Sequence, residues 1–301
     1  MTDNIPSTNT KLNKPEPKYR KKLNEEQIAV LQLIWRFRFA SSEQIAMYQQ
    51  KPNSKAVQKR LKILEDQDLI TKRYDKSYKL KGKPAAYYLT PNGARMLAIH
   101  KPRKDDEPIN IKRIYKDKEA SEGFIEHSKN VLGIYLTLKA LYPKQGKLNY
   151  FTKAQLSYEK YDFMPSPLQD ACIRIKTSAS DRYFFLDIFE DNQPFFVLIR
   201  RIKKYLEYAG SGEWARYDED GEFPTILLVV QNKSVHKRLR KRLAKELRES
   251  YEEVCFATGR LDYILDPENR GKGWLSIDEY GDDPDEPIQP VVLTKLPQTD
   301  D

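Results

Sequence analysis

Two carboxylates stand where they could do chemistry on a phosphodiester. Asp170 follows Pro165 and Pro167 at the start of an apolar stretch, and Asp187 lies inside the run Phe184-Phe185-Leu186-Asp187-Ile188-Phe189. A carboxylate embedded in such a run is costly unless it is paired, hydrogen-bonded or bound to a metal. Two strands related by a hairpin would bring Asp170 and Asp187 together. With Glu159 upstream, the acids would hold a Mg²⁺ that activates water. Nucleases built this way carry a lysine two residues after the second acid, where it stabilises developing charge. Here that position is Phe189. A lysine could instead arrive from the next helix, where Lys203 and Lys204 are the candidates. With an aromatic at the lysine position, the reading leans towards a structural or relic role for the acids and away from hydrolysis. Mg²⁺ is the one cofactor implied, and only if the nuclease alternative holds.

Other chemistries find no footing in the residue pattern. No Gly-rich phosphate loop, nucleophile elbow or His-rich metal cluster is present. Nor is there a His-hydrophobic-His pattern beside a tyrosine, as a tyrosine-nicking enzyme would need. The two cysteines, Cys172 and Cys255, make no disulfide framework, and His100, His127 and His236 are too scattered for zinc-ligand spacing. His127 falls inside an amphipathic helix and reads as an ordinary core or surface histidine.

The acids require a scaffold, and the second half of the chain supplies its signals. A long helix lined by Phe124, Val131, Ile134, Leu138 and Leu141 ends at Tyr142-Pro143. From Tyr150 onward strands and helices alternate. Ala171–Ile175 and Tyr183–Phe189 read as strands joined by a polar turn at 177–181, followed by a helix with Phe195, Ile199, Ile202 and Leu206 at helical spacing. Thr225–Val230 reads as a buried strand and Val235–Glu249 as an amphipathic helix, with Val254–Phe256 and Tyr263–Leu265 completing the sheet. This alternation predicts an α/β sheet with a parallel portion. The helix at 235–249 carries Lys237, Arg238, Arg240, Lys241, Arg242, Lys245 and Arg248, read as an outward basic face. Such a run is either a solvated face or a second surface that tracks phosphates.

The first third of the chain reads differently. Asn24, with Gln27 three residues on, caps a helix whose stripe is Ile28, Leu31, Ile34 and Trp35, running to about Phe37. Ser41-Ser42 and Glu43-Gln44 open a second helix, ended by Pro52-Asn53-Ser54. A third then buries Val57, Leu61 and Leu64. A strand Leu69–Tyr74, a turn-rich basic loop at 75–84, a return strand Ala86–Thr90 and a helix from Pro91 to Ile99 follow. Three short helices and a basic two-stranded ribbon form the order of a winged helix-turn-helix. In that module the third helix enters the major groove and the ribbon lies on the backbone. Lys55, Gln58 and Lys59 are placed to read bases, with Lys62 beside them, while Arg73, Lys76, Lys79, Lys81 and Lys83 would meet phosphates.

Charge follows the same division. The formal net charge of +9 hides 27 Lys and Arg against 13 Asp and Glu in residues 1–118, 25 against 23 in residues 119–277, and 1 against 8 in residues 278–301. A basic first third is the footprint of a polyanion partner, here double-stranded DNA. The 301 residues thus divide into a basic flexible arm (1–23), a winged helix (24–100), a charged linker with Pro102 and Pro108 (101–119), an α/β domain (120–277) and an acidic disordered tail (278–301). No stretch approaches the roughly 18 consecutive apolar residues of a membrane span. The chain therefore reads as non-membrane and cytoplasmic.

The order of these features resembles the replication-relaxation family of plasmid and mobile-element proteins, over roughly residues 24–266. The resemblance rests on Tyr87-Tyr88-Leu89-Thr90-Pro91-Asn92-Gly93, the helix with His127, Asp170-Ala171, Phe185-Leu186-Asp187, Lys203-Lys204-Tyr205-Leu206-Glu207-Tyr208 and Phe223-Pro224. It implies an α+β chain, a DNA-binding winged helix joined to a degenerate restriction-endonuclease-like domain, acting in plasmid replication, relaxation or mobilisation beside other proteins of those processes. The family's strand carries a Glu, one residue and then an Asp. This chain has Asp187 and Phe189 instead, which weakens any carry-over of catalysis. Two further readings stand beside a non-catalytic DNA-binding protein: a Mg²⁺-dependent nicking nuclease and a winged-helix transcriptional regulator.

Overall fold

The structure, a computed structural model, describes residues 22–51, 54–74, 76–99, 111–142, 148–156, 161–176, 181–218, 222–269 and 271–277. The basic arm up to residue 21, Asp75, Glu159, the turn at 177–180 and the acidic tail from residue 278 lie outside them. The fold mixes helices with two sheets.

The N-terminal elements follow their caps. In α1 (Glu25–Phe37) the Asn24 side chain accepts from the Gln27 amide at 2.9 Å while the Gln27 side chain accepts from the Asn24 amide at 3.0 Å. Ser41 and Gln44 repeat this reciprocal arrangement at α2 (Ser42–Tyr48). Each satisfies two backbone donors that a helix start leaves open, stabilising it by about 1 kcal/mol. In α3 (Ser54–Asp66) Val57, Leu61 and Leu64 are buried. Strands β1 (Ile70–Arg73) and β2 (Ala86–Leu89) pair antiparallel, with Ile70 opposite Leu89.

Between those strands the chain forms a short helix, α4 (Lys76–Leu80), where the sequence reads as a turn-rich loop. Tyr78 is the reason: it is buried against Phe39, Tyr88 and Ile125, and this anchor holds one helical turn down on the molecule. Next, α5 (Pro91–Ile99) starts at Pro91, with the Thr90 hydroxyl accepting from the Gly93 amide at 3.0 Å and donating to the Asp68 carbonyl at 2.6 Å. A Cβ on Gly93 would stand 1.9 Å from the Leu69 carbonyl oxygen, so only glycine lets α5 cross β1 this closely.

The stretch 101–119, expected as a linker, is corrected in its described part. It holds α6 (Ile111–Asp117), whose Ile114 enters the core and whose Asp117 accepts from Arg38 Nε at 2.7 Å. Charge and proline content marked the stretch as a linker. Ile114 and Asp117, one helical turn apart, give it an inward face instead.

Helix α7 (Glu122–Leu141) leads into β3 (Leu148–Thr152), α8 (Lys153–Leu156), β4 (Ala171–Lys176), β5 (Asp181–Phe189), α9 (Phe195–Gly210), α10 (Glu213–Tyr217), β6 (Thr225–Val230), α11 (Lys233–Arg248), β7 (Phe256–Arg260), α12 (Leu261–Leu265) and β8 (Leu275–Ile277). The strands form one six-stranded sheet in chain order, parallel from β5 through β7 and antiparallel on both flanks. The parallel portion matches the expectation. The end of the sheet does not: Tyr263–Leu265 is helical, and the closing strand is β8. Strand β7 reads Phe-Ala-Thr-Gly-Arg, which has no apolar run to announce it.

Alternation along β5 builds two cores. Phe184, Leu186 and Ile188 join a cluster with α1 and α7, and Phe185 and Phe189 join a second with α9 and α11. The first cluster is continuous from Val30, Ile34 and Leu61 to Leu132, Tyr150 and Leu227, so the N-terminal elements and the sheet share one packed interior. Polar contacts reinforce the junction: Arg36 Nε donates to Gln155 Oε1 at 3.2 Å and Gln44 Nε2 to the Lys129 carbonyl at 2.7 Å. Among the described residues no helix is long and apolar enough to cross a membrane.

Candidate functional site

The hairpin of β4 and β5 brings Asp170 and Asp187 together, as their spacing predicts. The Asp170 amide donates to Asp187 Oδ1 at 3.2 Å, and the Ile188 amide donates to Asp170 Oδ2 at 2.9 Å. Asp187 shares its side of β5 with Phe185 and Phe189 and is 7% exposed. There it meets α9. Arg201 Nε donates to its Oδ2 at 2.5 Å and the Tyr205 hydroxyl donates to the same atom at 2.7 Å. Arg201 also donates to the Tyr205 hydroxyl at 2.8 Å and to the Pro167 carbonyl. Burial raises the Asp187 carboxyl above the ordinary carboxylate range, and the Arg201 charge pulls it back.

The outer end of the pair is closed by α7. His127 lies between two acids, its Nε2 3.0 Å from Asp170 Oδ1 and its Nδ1 3.1 Å from Glu190 Oε1. Both ring nitrogens face carboxylates, so both must donate and the ring is an imidazolium. Burial alone would lower the His127 pKa, but the hydrogen bonds and charges of Asp170 and Glu190 override it and push the ring up to about 10. Glu190 Oε2 accepts from Gln231 just past β6.

The network decides what these acids can do. A Mg²⁺ at Asp170 and Asp187 would need open carboxylate oxygens. Each oxygen already faces a partner: backbone amides, Arg201, Tyr205 or His127. The donor set therefore does not fit the metal expected at this pair. Among the described residues no group of three or more His, Cys, Asp and Glu is arranged to hold a metal ion.

The lysine substitutes are corrected too. Lys203 faces Glu246 at 3.8 Å and Lys204 faces Glu207 at 2.6 Å, while the cation that reaches Asp187 from α9 is Arg201. Phe189 is buried at the position where the lysine was sought. Sequence reasoning missed His127, Glu190, Arg201 and Tyr205 as one system. A signal existed for two of them, since Leu198, Arg201, Ile202 and Tyr205 share one face of α9, and an arginine on an apolar face demands a buried partner.

The second candidate surface is α3. Lys55, Gln58, Lys59 and Lys62 are exposed on it, opposite its buried stripe. Arg60 turns back instead, to Gln49 and Glu26. Of the residues expected on the ribbon, Lys76 and Lys79 are exposed on α4. Lys81 and Lys83 face Glu122 at 3.1 and 2.5 Å, and Arg73 donates to the Lys118 carbonyl at 2.9 Å, so these three are held by α7 and the turn before it.

The basic run on α11 is also partly corrected. Arg240 points inward, 4% exposed, donating to the Thr258 hydroxyl at 3.1 Å and to the carbonyls of Leu275 and Ser276 at 3.3 and 3.0 Å. Arg242 is half-buried against Glu246. Lys237, Arg238, Lys241, Lys245 and Arg248 remain exposed.

Known proteins share parts of this pattern. A protein-family model described as replication-relaxation matches residues 31–226, well over half of the chain. No curated protein matches it. Among solved structures, a mutant of ZitR from Lactococcus lactis is 19% identical, with 44% of this chain and 82% of that one covered and a TM-score of 0.24. The restriction endonuclease FokI bound to DNA is 13% identical, with 82% of this chain and 45% of that one covered and a TM-score of 0.30. FokI without DNA is 13% identical, covering 80% and 42%, with a TM-score of 0.32. None of the three superposes closely enough to fix the fold.

Proposed function

The chain belongs to the replication-relaxation family, and on that premise we propose that it is a double-stranded DNA-binding protein of a plasmid or mobile element, acting in replication, relaxation or mobilisation without cleaving DNA. The N-terminal elements act as a winged helix. Helix α3 enters the major groove, Lys55, Gln58 and Lys59 meet base edges, Lys62 stands at the flank, and Lys76 and Lys79 of α4 meet the backbone. The observation that carries this reading is the division of α3. Its apolar residues Val57, Leu61 and Leu64 are consumed by the core while Lys55, Gln58, Lys59 and Lys62 face solvent.

The α/β part acts as a restriction-endonuclease-like scaffold that has lost hydrolysis. Its supporting observation is the Arg201 guanidinium on Asp187, which occupies the carboxylate a metal would need.

A gel-shift salt titration tests the reading. Wild-type affinity for duplex DNA falls steeply with salt, and Lys55→Ala with Lys59→Ala flattens the log–log slope by about two units, roughly 0.9 for each phosphate no longer neutralised. Affinity independent of salt, or unchanged in that variant, overturns DNA binding through α3. Mg²⁺-dependent nicking of supercoiled plasmid that disappears in Asp187→Ala would overturn the non-catalytic part.

A further inference from the structure

The exposed face of α11 is a charge feature that the proposed DNA-binding surface leaves unused. From Lys233 to Lys245 the helix carries no acidic residue. The structure sorts its cations: Arg240 and Arg242 are spent inside, whereas Lys237, Lys241, Lys245 and Arg248 face solvent at helical spacing along one side. Lys245 meets Glu249 at 3.6 Å, so the least compensated part of the row is Lys237, Lys241 and Arg248. Arg238 lies 3.8 Å from the centre of the Phe195 ring and ties the start of α9 to α11, bringing exposed Arg200 into the same layer.

Spacing and position identify the occupant. Residues four apart on a helix rise about 6 Å. One DNA strand offers a phosphate about every 3.4 Å of axis, so the row presents one cation for roughly every second phosphate. The row has no asparagine or glutamine to read bases; it tracks a backbone. It also lies in a different layer from α3. The apolar cluster under α11 belongs to one face of the six-stranded sheet, and the cluster that takes in α3 and α7 belongs to the other.

We infer that the α11 face binds the phosphate backbone of a second DNA duplex, without sequence preference, while α3 holds the first, so that one chain bridges two duplex segments. This rests on the DNA-binding reading of α3 above.

A sandwich assay tests it. A short immobilised duplex is loaded with the full-length protein, washed, and offered a labelled duplex of unrelated sequence. The wild type captures the label. Lys237→Glu with Lys241→Glu and Arg248→Glu, all solvent-facing, binds the immobilised duplex within about twofold of wild type, which also reports that it folds, and captures at least about tenfold less label. Capture that persists in this variant overturns the inference and assigns bridging to paired copies of the chain through α3. Wild-type protein that binds the first duplex but captures no second overturns it as well. Loss of first-duplex binding in the variant overturns it by placing α11 and α3 on one duplex. Wild-type protein that fails to hold the immobilised duplex is a failure of the DNA-binding reading itself, and is distinguishable by that first step.

Discussion

Helix α3 and the β5–α9 junction use the same kinds of side chain to opposite ends. On α3 the cations Lys55, Lys59 and Lys62 are left outside, above an apolar stripe that does the packing. At the junction Arg201 is 7% exposed and is itself part of the packing, closing on Asp187 and Tyr205. A charge kept in water costs the fold almost nothing and remains available to a partner. A charge taken inside must be matched at once, and its reach is spent on its own chain. Abundance of acids and bases is therefore a poor guide to a site; what matters is whether the fold has already answered them.

The largest expected effect is at the buried end. Arg201→Leu leaves Asp187 buried without its counter-charge and should cost about 3–5 kcal/mol in urea unfolding. Arg201→Leu with Asp187→Leu should recover much of that loss, because the unpaired charge is gone. If the single variant is as stable as wild type, the contrast between the two regions collapses.

Next comes His127. Its folded pKa of about 10 lies above the ordinary 6.5, so the stability it contributes is fully present below about pH 6.5 and is lost as pH rises through 10. Unfolding free energy measured at pH 6, 8 and 10 should therefore fall with pH more steeply for wild type than for His127→Gln. Parallel curves would remove the imidazolium from the network.

A smaller effect separates two neighbours on α11. Arg240→Met strands the Thr258 hydroxyl and two carbonyls in the interior and should cost about 1–3 kcal/mol, whereas Lys241→Ala should stay within about 0.5 kcal/mol. Equal thermal shifts for the two would erase the sorting of the basic run.

The smallest effect on stability is at α3. Lys55→Ala with Lys59→Ala should leave unfolding within about 0.5 kcal/mol of wild type while flattening the salt dependence of DNA binding. A large loss of stability would mean that these lysines serve the fold, and the comparison would then lose its exposed member.

Much of the architecture was legible from local signals. Asn24 with Gln27 and Ser41 with Gln44 announced α1 and α2, and helical spacing announced α3, α7, α9 and α11. The apolar runs of β5 and β6 announced the parallel centre of the sheet. The misreadings share one cause. Helices α4, α6 and α12 are each held by a few buried side chains, such as Tyr78, Ile114 and Ile264, whose partners are remote in sequence. Strand β7 owes its place to pairing with β6 and β8, which no composition rule reveals.

The site divides the same way. Residue order alone required that Asp170 and Asp187 meet, because a hairpin of two apolar strands leaves no other register for acids at their ends. It also dictated that no lysine follows Asp187, and that the cations of α3 would lie opposite its buried stripe. Three outcomes came from the packed fold: Arg201, not Lys203, answers Asp187; His127 closes the pair from a helix more than forty residues upstream of Asp170; and Arg240 turns inward while Lys241 does not. Periodicity specifies which side of an element a residue occupies. What stands across from that side, and therefore whether a charge is free for a partner or already matched, depends on contacts between elements far apart in the chain.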